Sequence, residues 1–381
     1  TVLSTEKAEE NISAITTTVA TTKAQTTAAQ IPKPKEPVII PDFTVPEKTF
    51  TLPSPISVPE DQVTVVNVKD FGAKGDGVSN DRYYIYKAFE YAIAHLPATV
   101  YFPEGEYAFL NGGLTIKLPL GSGNLTVKGD GAEKSIIKYP DNWTTKGSWV
   151  ALRFQPESTP KNTSEYLHDI TITDFGVYDT DPVKHAWTVE KNGAKEETHG
   201  FDIQYTVRAC IKNCMVDSVG DEAIDMVYCI DSLIIDNVVK NSPGAGSAGG
   251  AISVGDGCDN VYVIGNTVDG TIASEDKVNF GIAIEALTEP VKNITVASND
   301  VKNITGNGIN IAAPKGSIDN VLVYDNTVSY CTTGVHFDGK GEKNNICISG
   351  ISISTVQKGF YLDGQNTNNT VIEYFSAEKL Y

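Results

Sequence analysis

The stretch IIDNVV, Ile234–Val239, reads as a short β-branched strand, a polar corner and a second strand. It recurs. IKNCMV (Ile211–Val216), VIGNTV (Val263–Val268), VASNDV (Val296–Val301), VYDNTV (Val323–Val328) and ISGISI (Ile348–Ile353) align with it. Cys214, Asn237, Asn266, Asn299, Asn326 and Ile351 then share one position, at intervals of 23, 29, 33, 27 and 25 residues. A second family of strands aligns beside the first: GFDIQ, AIDMV, AISVG, GIAIE, GINIA, GVHFD and GFYLD, beginning at Gly200, Ala223, Ala251, Gly281, Gly308, Gly334 and Gly359. Strands this short cannot bury a face alone, so each copy must stack on its neighbours. Asn tolerates left-handed corner geometry and can hydrogen-bond from copy to copy along a stack. Period, strand length and Asn ladder together predict an all-β parallel β-helix.

A stack of rungs has two open ends, each exposing unpaired backbone groups. Upstream, SNDRYYIYKAFEYAIAHL offers Asn80 or Asp81 as N-cap and Ile85, Phe89, Ala92 and Ile93 on one face. A capping helix over residues 80–95 is expected, with DFGAKGDG as the turn into it and TVYFPEGEY as the first rung. A phosphate loop would need Gly-Lys followed by Ser or Thr, which that turn lacks.

VKDFGAKGDGVSND, a helix and VYFPEGEY together resemble the leading segment of the pectate-lyase-like right-handed β-helix superfamily. The resemblance runs from Val66 to the C-terminus and implies a right-handed parallel β-helix over residues 61–381. It leaves the activity open, because that superfamily includes lyases, hydrolases, epimerases and phage tailspike depolymerases. Residues 1–60 form a separate segment: Ala8, Ile12, Ile15 and Val19 make a two-heptad seam, and eight prolines follow between Pro32 and Pro59. They are expected to be either a flexible linker or an oligomerising neck. A neck feeding this motif is similar to a tailspike arrangement, which implies a homotrimer outside the cell, on a virion tail or secreted, that cleaves capsular polysaccharide.

Composition narrows the partners. The formal charge is −18, and only three of 30 basic residues are arginines (Arg82, Arg153 and Arg208). Nucleic-acid binding, which rests on basic patches, is excluded as an expectation. No apolar run approaches the ~20 residues of a membrane span. The six cysteines show no zinc spacing and no disulfide framework; Cys229 and Cys258, each eight residues before a ladder Asn, are expected to stack as buried thiols.

The acids come from the stack itself. In the second strands Phe201, Ile224, Ile252, Ile282, Ile309, Val335 and Phe360 should point inward. The residues after them, Asp202, Asp225, Ser253, Ala283, Asn310, His336 and Tyr361, should point outward, and Glu285 lies in a second outward row. Rungs are ~4.8 Å apart, so Asp202 and Asp225 should sit side by side and repel, raising one pKa toward general-acid use. The stretch from His199 to Asn237 is also similar to the active-site rungs of polygalacturonases. That resemblance lays Asp221 and Glu222 on the catalytic Asp pair, with His199 in place of an aspartate and Gly250 where a histidine would stand. It implies a glycosidase with rearranged acids. Asp202, Asp221, Glu222 and Asp225 are therefore the expected catalytic set.

Trp187, Tyr205 and Tyr228 are the candidate sugar-stacking faces, and His199, Glu285 and Arg208 the polar binding groups. Insertions at 179–199, 242–250 and 271–279 should wall a groove. Hydrolysis needs no cofactor. A lyase alternative would use Arg208, or Ca²⁺ held by Asp202, Asp225 and Glu285, to stabilise an enolate. A carbohydrate-binding spike without catalysis is the third reading.

Overall fold

The computed structural model describes residues 52–380, apart from 54, 57, 141–146, 182–195, 242–249, 272–279, 364–365 and 374. The expected neck at 1–60 lies almost wholly outside these residues, as do Trp187 and most of the three insertions.

Strands stack into three sheets of twelve, eleven and nine strands among the described residues. Every strand pair is parallel, as in Ile234↔Val263 and Val263↔Val296. Such a stack is consistent with the right-handed β-helix, the hand that parallel crossovers favour. A typical rung contributes one strand to each sheet. Sheet A holds the strands before the ladder corner, such as Ile230–Ile235, and sheet B those after it, such as Val238–Lys240. Sheet C holds the second-strand family, such as Ile224–Val227. The helix Arg82–Ile93 stands in place of the first rung's sheet C strand, and one rung's sheet A strand is split into Thr206–Val207 and Cys210–Lys212. Inside, Phe201, Ile224, Ile252, Ile282, Ile309 and Val335 are fully buried in one column, with Ile211, Ile234, Val263, Val296, Val323 and Ile348 opposite.

The Asn ladder is continuous. Asn237 Oδ1 accepts from Cys214 N at 3.0 Å, Asn266 Oδ1 from Asn237 N at 2.9 Å, Asn299 Oδ1 from Asn266 N at 2.8 Å and Asn326 Oδ1 from Asn299 N at 3.0 Å. Each of the four side-chain amides also donates to a backbone carbonyl of an earlier rung, so these fully buried groups are satisfied. The corner geometry differs from expectation in one respect. The left-handed residue is the one before the ladder Asn: Asn213, Asp236, Gly265, Ser298, Asp325 and Gly350 carry the positive φ. The preceding residue turns the chain, leaving the ladder Asn free to bond along the stack.

The first rung also starts earlier than TVYFPEGEY. Thr64–Asn67 pairs with Ala98–Phe102, and Asp76–Asn80 adjoins Gly105–Ala108. Helix α1 (Arg82–Ile93) follows, narrower than the expected span. It buries Ile85, Ala88, Phe89 and Ala92 and touches the first strands of sheets A and C. The Phe89 ring meets Phe102 at 6.4 Å and Phe154 at 5.8 Å. Asp81 stands at its N-cap but makes no side-chain cap bond. Its buried carboxylate instead accepts from Lys74 N at 2.7 Å and Gly75 N at 2.9 Å, fixing the glycine-rich turn. Asp76 accepts from Val78 N and Ser79 N. Asp76 and Asp81 are thus both occupied by backbone amides of this corner, which is structural. All six cysteines are buried and free.

Candidate active site

The acid cluster lies on the outer face of sheet C. Strands Gly147–Pro156, Glu196–Gln204 and Ile224–Val227 are neighbours there, in the register Arg153↔Asp202↔Asp225. Asp202 and Asp225 therefore sit side by side, as the alignment of second strands predicts. Two features of their setting were not expected. Asp202 is only 3% exposed, although it points away from the helix interior. And Arg153 Nε donates to Asp202 Oδ2 at 2.5 Å, with Gln204 Nε2 at 3.0 Å from the same oxygen. Asp202 Oδ1 is buried and has no partner among the described residues.

The turn before Ile224 brings in the other two acids. Thr198 fixes that turn: its hydroxyl accepts from Gly220 N at 2.8 Å and its carbonyl from Asp221 N at 2.9 Å. Gly200 N then donates to Glu222 O at 3.1 Å. A Cβ on Gly200 would come within 2.1 Å of the Ala223 carbonyl oxygen, so only glycine lets the rungs close here. The result places His199 between the acids, with Nδ1 at 2.8 Å from Glu222 Oε2 and Nε2 at 4.0 Å from Asp221 Oδ2.

Charge is distributed unevenly. Burial pushes the Asp225 carboxyl well above the ordinary range, and the neighbouring Asp202 and Glu222 charges push it further. Burial also raises Asp202, but the Arg153 guanidinium pulls against it. The proton of this pair therefore belongs on Asp225, because Asp202 has the Arg153 guanidinium beside it, whereas the Asp202 and Glu222 charges outweigh His199 at Asp225. Glu222 resists burial through its hydrogen bond to His199 and stays below the usual range. The cluster thus combines one carboxyl pushed well above the ordinary range, one arginine-paired acid and one carboxyl–imidazole pair.

The other expected residues fall in different places. Glu285 lies on the same face, in register with Ala312, 5% exposed and pushed up to about 8 by burial and by the charges of Glu222, Asp256 and Asp338. Tyr205 and Tyr228 stack at 4.4 Å with planes 3° apart at the corner between sheets C and A, with Tyr166 edge-on to Tyr205. Arg208 is not brought to the cluster: it opens the sheet A segment and grips Asp169 at 2.7 and 2.8 Å, where Ile56 N also bonds. The arginine at the acids is Arg153, which the sequence reading passed over. Aligning VALRFQ (Val150–Gln155) with HGFDIQ (His199–Gln204) would have found it. Among the described residues, His199, Asp221 and Glu222 lie within 4.8 Å of one another and could hold a metal ion. The calcium set Asp202, Asp225 and Glu285 forms no such group.

Residues 65–226 match a family model described as rhamnogalacturonase A/epimerase, pectate lyase-like. That stretch runs from the first strand through Asp225, and it bears out the pectate-lyase-like resemblance. The chain is 44% identical over 84 residues to the mannuronan C5-epimerase AlgE1 of Azotobacter vinelandii, covering 20% of this chain and 6% of that protein. It is 34% identical over 117 residues to alginate lyase 7 of the same organism, covering 29% and 12%. With the preneck appendage protein of Bacillus phage PZA it shares 36% identity over 108 residues, covering 28% and 11%. The matches thus span about an eighth or less of each relative's length. Among solved structures, ORF18 of Geobacillus virus E2 is 16% identical with a TM-score of 0.49, covering 82% of this chain and 61% of that one.

Proposed function

We propose that this chain is a polysaccharide depolymerase that hydrolyses a glycosidic bond over Asp202 and Asp225. The observation that carries the reading is the unequal carboxyl pair: Asp225, pushed well up by burial and neighbouring anions, one rung from Asp202, whose upward shift Arg153 opposes. Hydrolysis needs one carboxyl to protonate the leaving oxygen and one carboxylate to act at the anomeric carbon or on water. One rung is about 4.8 Å, close to the spacing of about 5–5.5 Å that retaining glycosidases use. Asp225 would donate its proton to the departing oxygen, and Asp202 would attack through Oδ1, the oxygen left free by Arg153 and Gln204. Glu222 and His199 would then hold the sugar hydroxyls beside the cleaved bond.

A second reading is favoured by the His199–Glu222 pair and by relatives named as an alginate lyase and mannuronan epimerases. In it, His199, oriented by Glu222, takes the proton α to a uronate carboxylate, and Asp225 neutralises that carboxylate. The likeness to a phage preneck appendage protein supports a place on a virion tail, with the homotrimer as its expected assembly. Among the described residues no helix is long and apolar enough to cross a membrane.

The test is to incubate the chain with bacterial capsules, alginate and plant polysaccharides and to mass the products. New reducing ends without the ultraviolet absorbance of an unsaturated uronate support hydrolysis. Absorbance at the new end supports the elimination. Asp225→Asn should lower turnover by about 10²–10⁴-fold on any cleaved substrate. Full activity in that variant would move the site elsewhere, and no cleavage of any glycan would leave a binding spike.

A further inference from the structure

Four rungs beyond Asp225, a second cluster stands on the outer face of sheet C. The register runs Asp225↔Ser253↔Ala283↔Asn310↔His336, a separation of roughly 19 Å at about 4.8 Å per rung. There His336 and Asp338, on strand Thr333–Asp338, meet Asp363 of the next rung, which is in register with Asp338. One ligand atom from each lies within 4.8 Å of the others.

We propose that His336, Asp338 and Asp363 bind a first-row divalent cation of the zinc class. A further observation points to a ligand here. His336 Nδ1 is engaged, at 3.1 Å from Asn310 Oδ1 and 2.9 Å from the Asn307 amide, so Nε2 is the nitrogen left over. That Nε2 is buried and has no protein partner. Buried polar groups are paired almost without exception, and a cation would satisfy a lone pair on this imidazole nitrogen.

The surroundings suit a metal centre. A ligating imidazole is ordinarily oriented by a hydrogen bond at its other nitrogen, and Asn310 supplies one. Tyr361 stacks on the His336 ring at 5.0 Å and fixes its plane. Asp338 Oδ1 accepts from Gly339 N at 2.6 Å, leaving Oδ2 to ligate. The nearby cations are engaged: Lys343 Nζ donates to the Gly339 and Gly341 carbonyls, and Lys358 Nζ lies over the Tyr361 ring at 3.7 Å. One imidazole and two carboxylates match zinc or manganese; calcium would want about six to eight oxygens. The ion would pin the last two rungs of sheet C together.

Zinc alone, titrated calorimetrically into the chelator-treated full chain with calcium in parallel, tests the site. The wild type should bind an equivalent of Zn²⁺ in preference to Ca²⁺, with a rise in melting temperature. Asp363→Asn, an isosteric change at an exposed residue, should weaken that equivalent by about 10–100-fold, and His336→Ala should remove it. Glu222→Gln should leave it in place. The proposal is overturned if no zinc binds, if both variants at the second cluster keep the equivalent, or if only Glu222→Gln loses it.

Discussion

Arg153 reaches Asp202 from the preceding rung, Nε to Oδ2 at 2.5 Å, while Asp225 on the following rung has no such partner. Two chemically identical side chains are thereby made unequal by their neighbours in one column. Arg153→Met should erase the inequality: Asp202 would compete for the shared proton and the pair would be uncharged over a wider pH range. Turnover should fall about tenfold to a hundredfold at neutral pH, and the acidic limb of the pH–rate profile should move to higher pH. An unshifted limb would detach Arg153 from the chemistry.

Glu285 gives a pH dependence of stability. Its carboxyl titrates near 8 in the folded chain against an ordinary 4.5, so the folded state holds the proton more tightly than the unfolded one. Stability is then fully present at pH below about 4.5 and declines as pH rises through about 8, by up to a few kcal/mol. Glu285→Gln, a neutral stand-in for the protonated acid, should match the wild type at pH 5 and exceed it at pH 9. Melting curves at the two pH values measure this, and parallel curves would contradict it.

The ladder makes a prediction about packing. Asn266→Ala would leave Asn237 N without its acceptor, strip Asn237 Nδ2 of one of its two, and take the Asn266 amide from the Ile234 carbonyl. Each orphaned buried donor costs about 1–3 kcal/mol, so the variant should lose roughly 3 kcal/mol by denaturant titration. Asn368→Ala, which breaks an exposed bond to Asn344, should cost less than about 0.5 kcal/mol and serves as the control.

The thiols should be silent in the native chain. Burial pushes Cys210 and Cys331 up to about 11 and Cys347 up to about 12, and raises Cys214 and Cys229 as well. The thiolate is the reactive form. At pH 8, iodoacetamide should label few or none of the six cysteines before unfolding and all six after it, counted by intact mass. Rapid native labelling would contradict the burial; a missing label after unfolding would reveal a disulfide.

The stacking of Asp202 on Asp225 was legible because register along the second strands follows from aligning the repeats, and a one-residue slip would turn every side chain to the other face. The Asn ladder was legible for the same reason. Arg153 was not, since its rung precedes the first ladder corner and carries no Asn to mark it. Nor was the burial of Asp202, which depends on what the outer face of sheet C meets in space. The polygalacturonase-like register put Asp221 and Glu222 together as partners. The fold instead pairs Glu222 with His199 at 2.8 Å, a contact between adjacent rungs that no local spacing announces. The left-handed residue was misplaced by one because both corner positions accept polar residues, and only the ladder bonds show which of them turns.

From Leu167 onward the corner between sheets A and B has two residues between its strands, from Thr173–Gly176 through Ile235–Val238 to Ser349–Ser352. The stretch between sheets B and C varies freely, from one residue after Val356 to sixteen after Asp179. One corner of the triangle is thus a fixed hinge line, and the other accepts insertions without shifting any rung against the next. A lineage with this body plan can exchange the approaches to its acid cluster while the acids keep their register, so under the proposed function its taste in glycans can drift far faster than its shape.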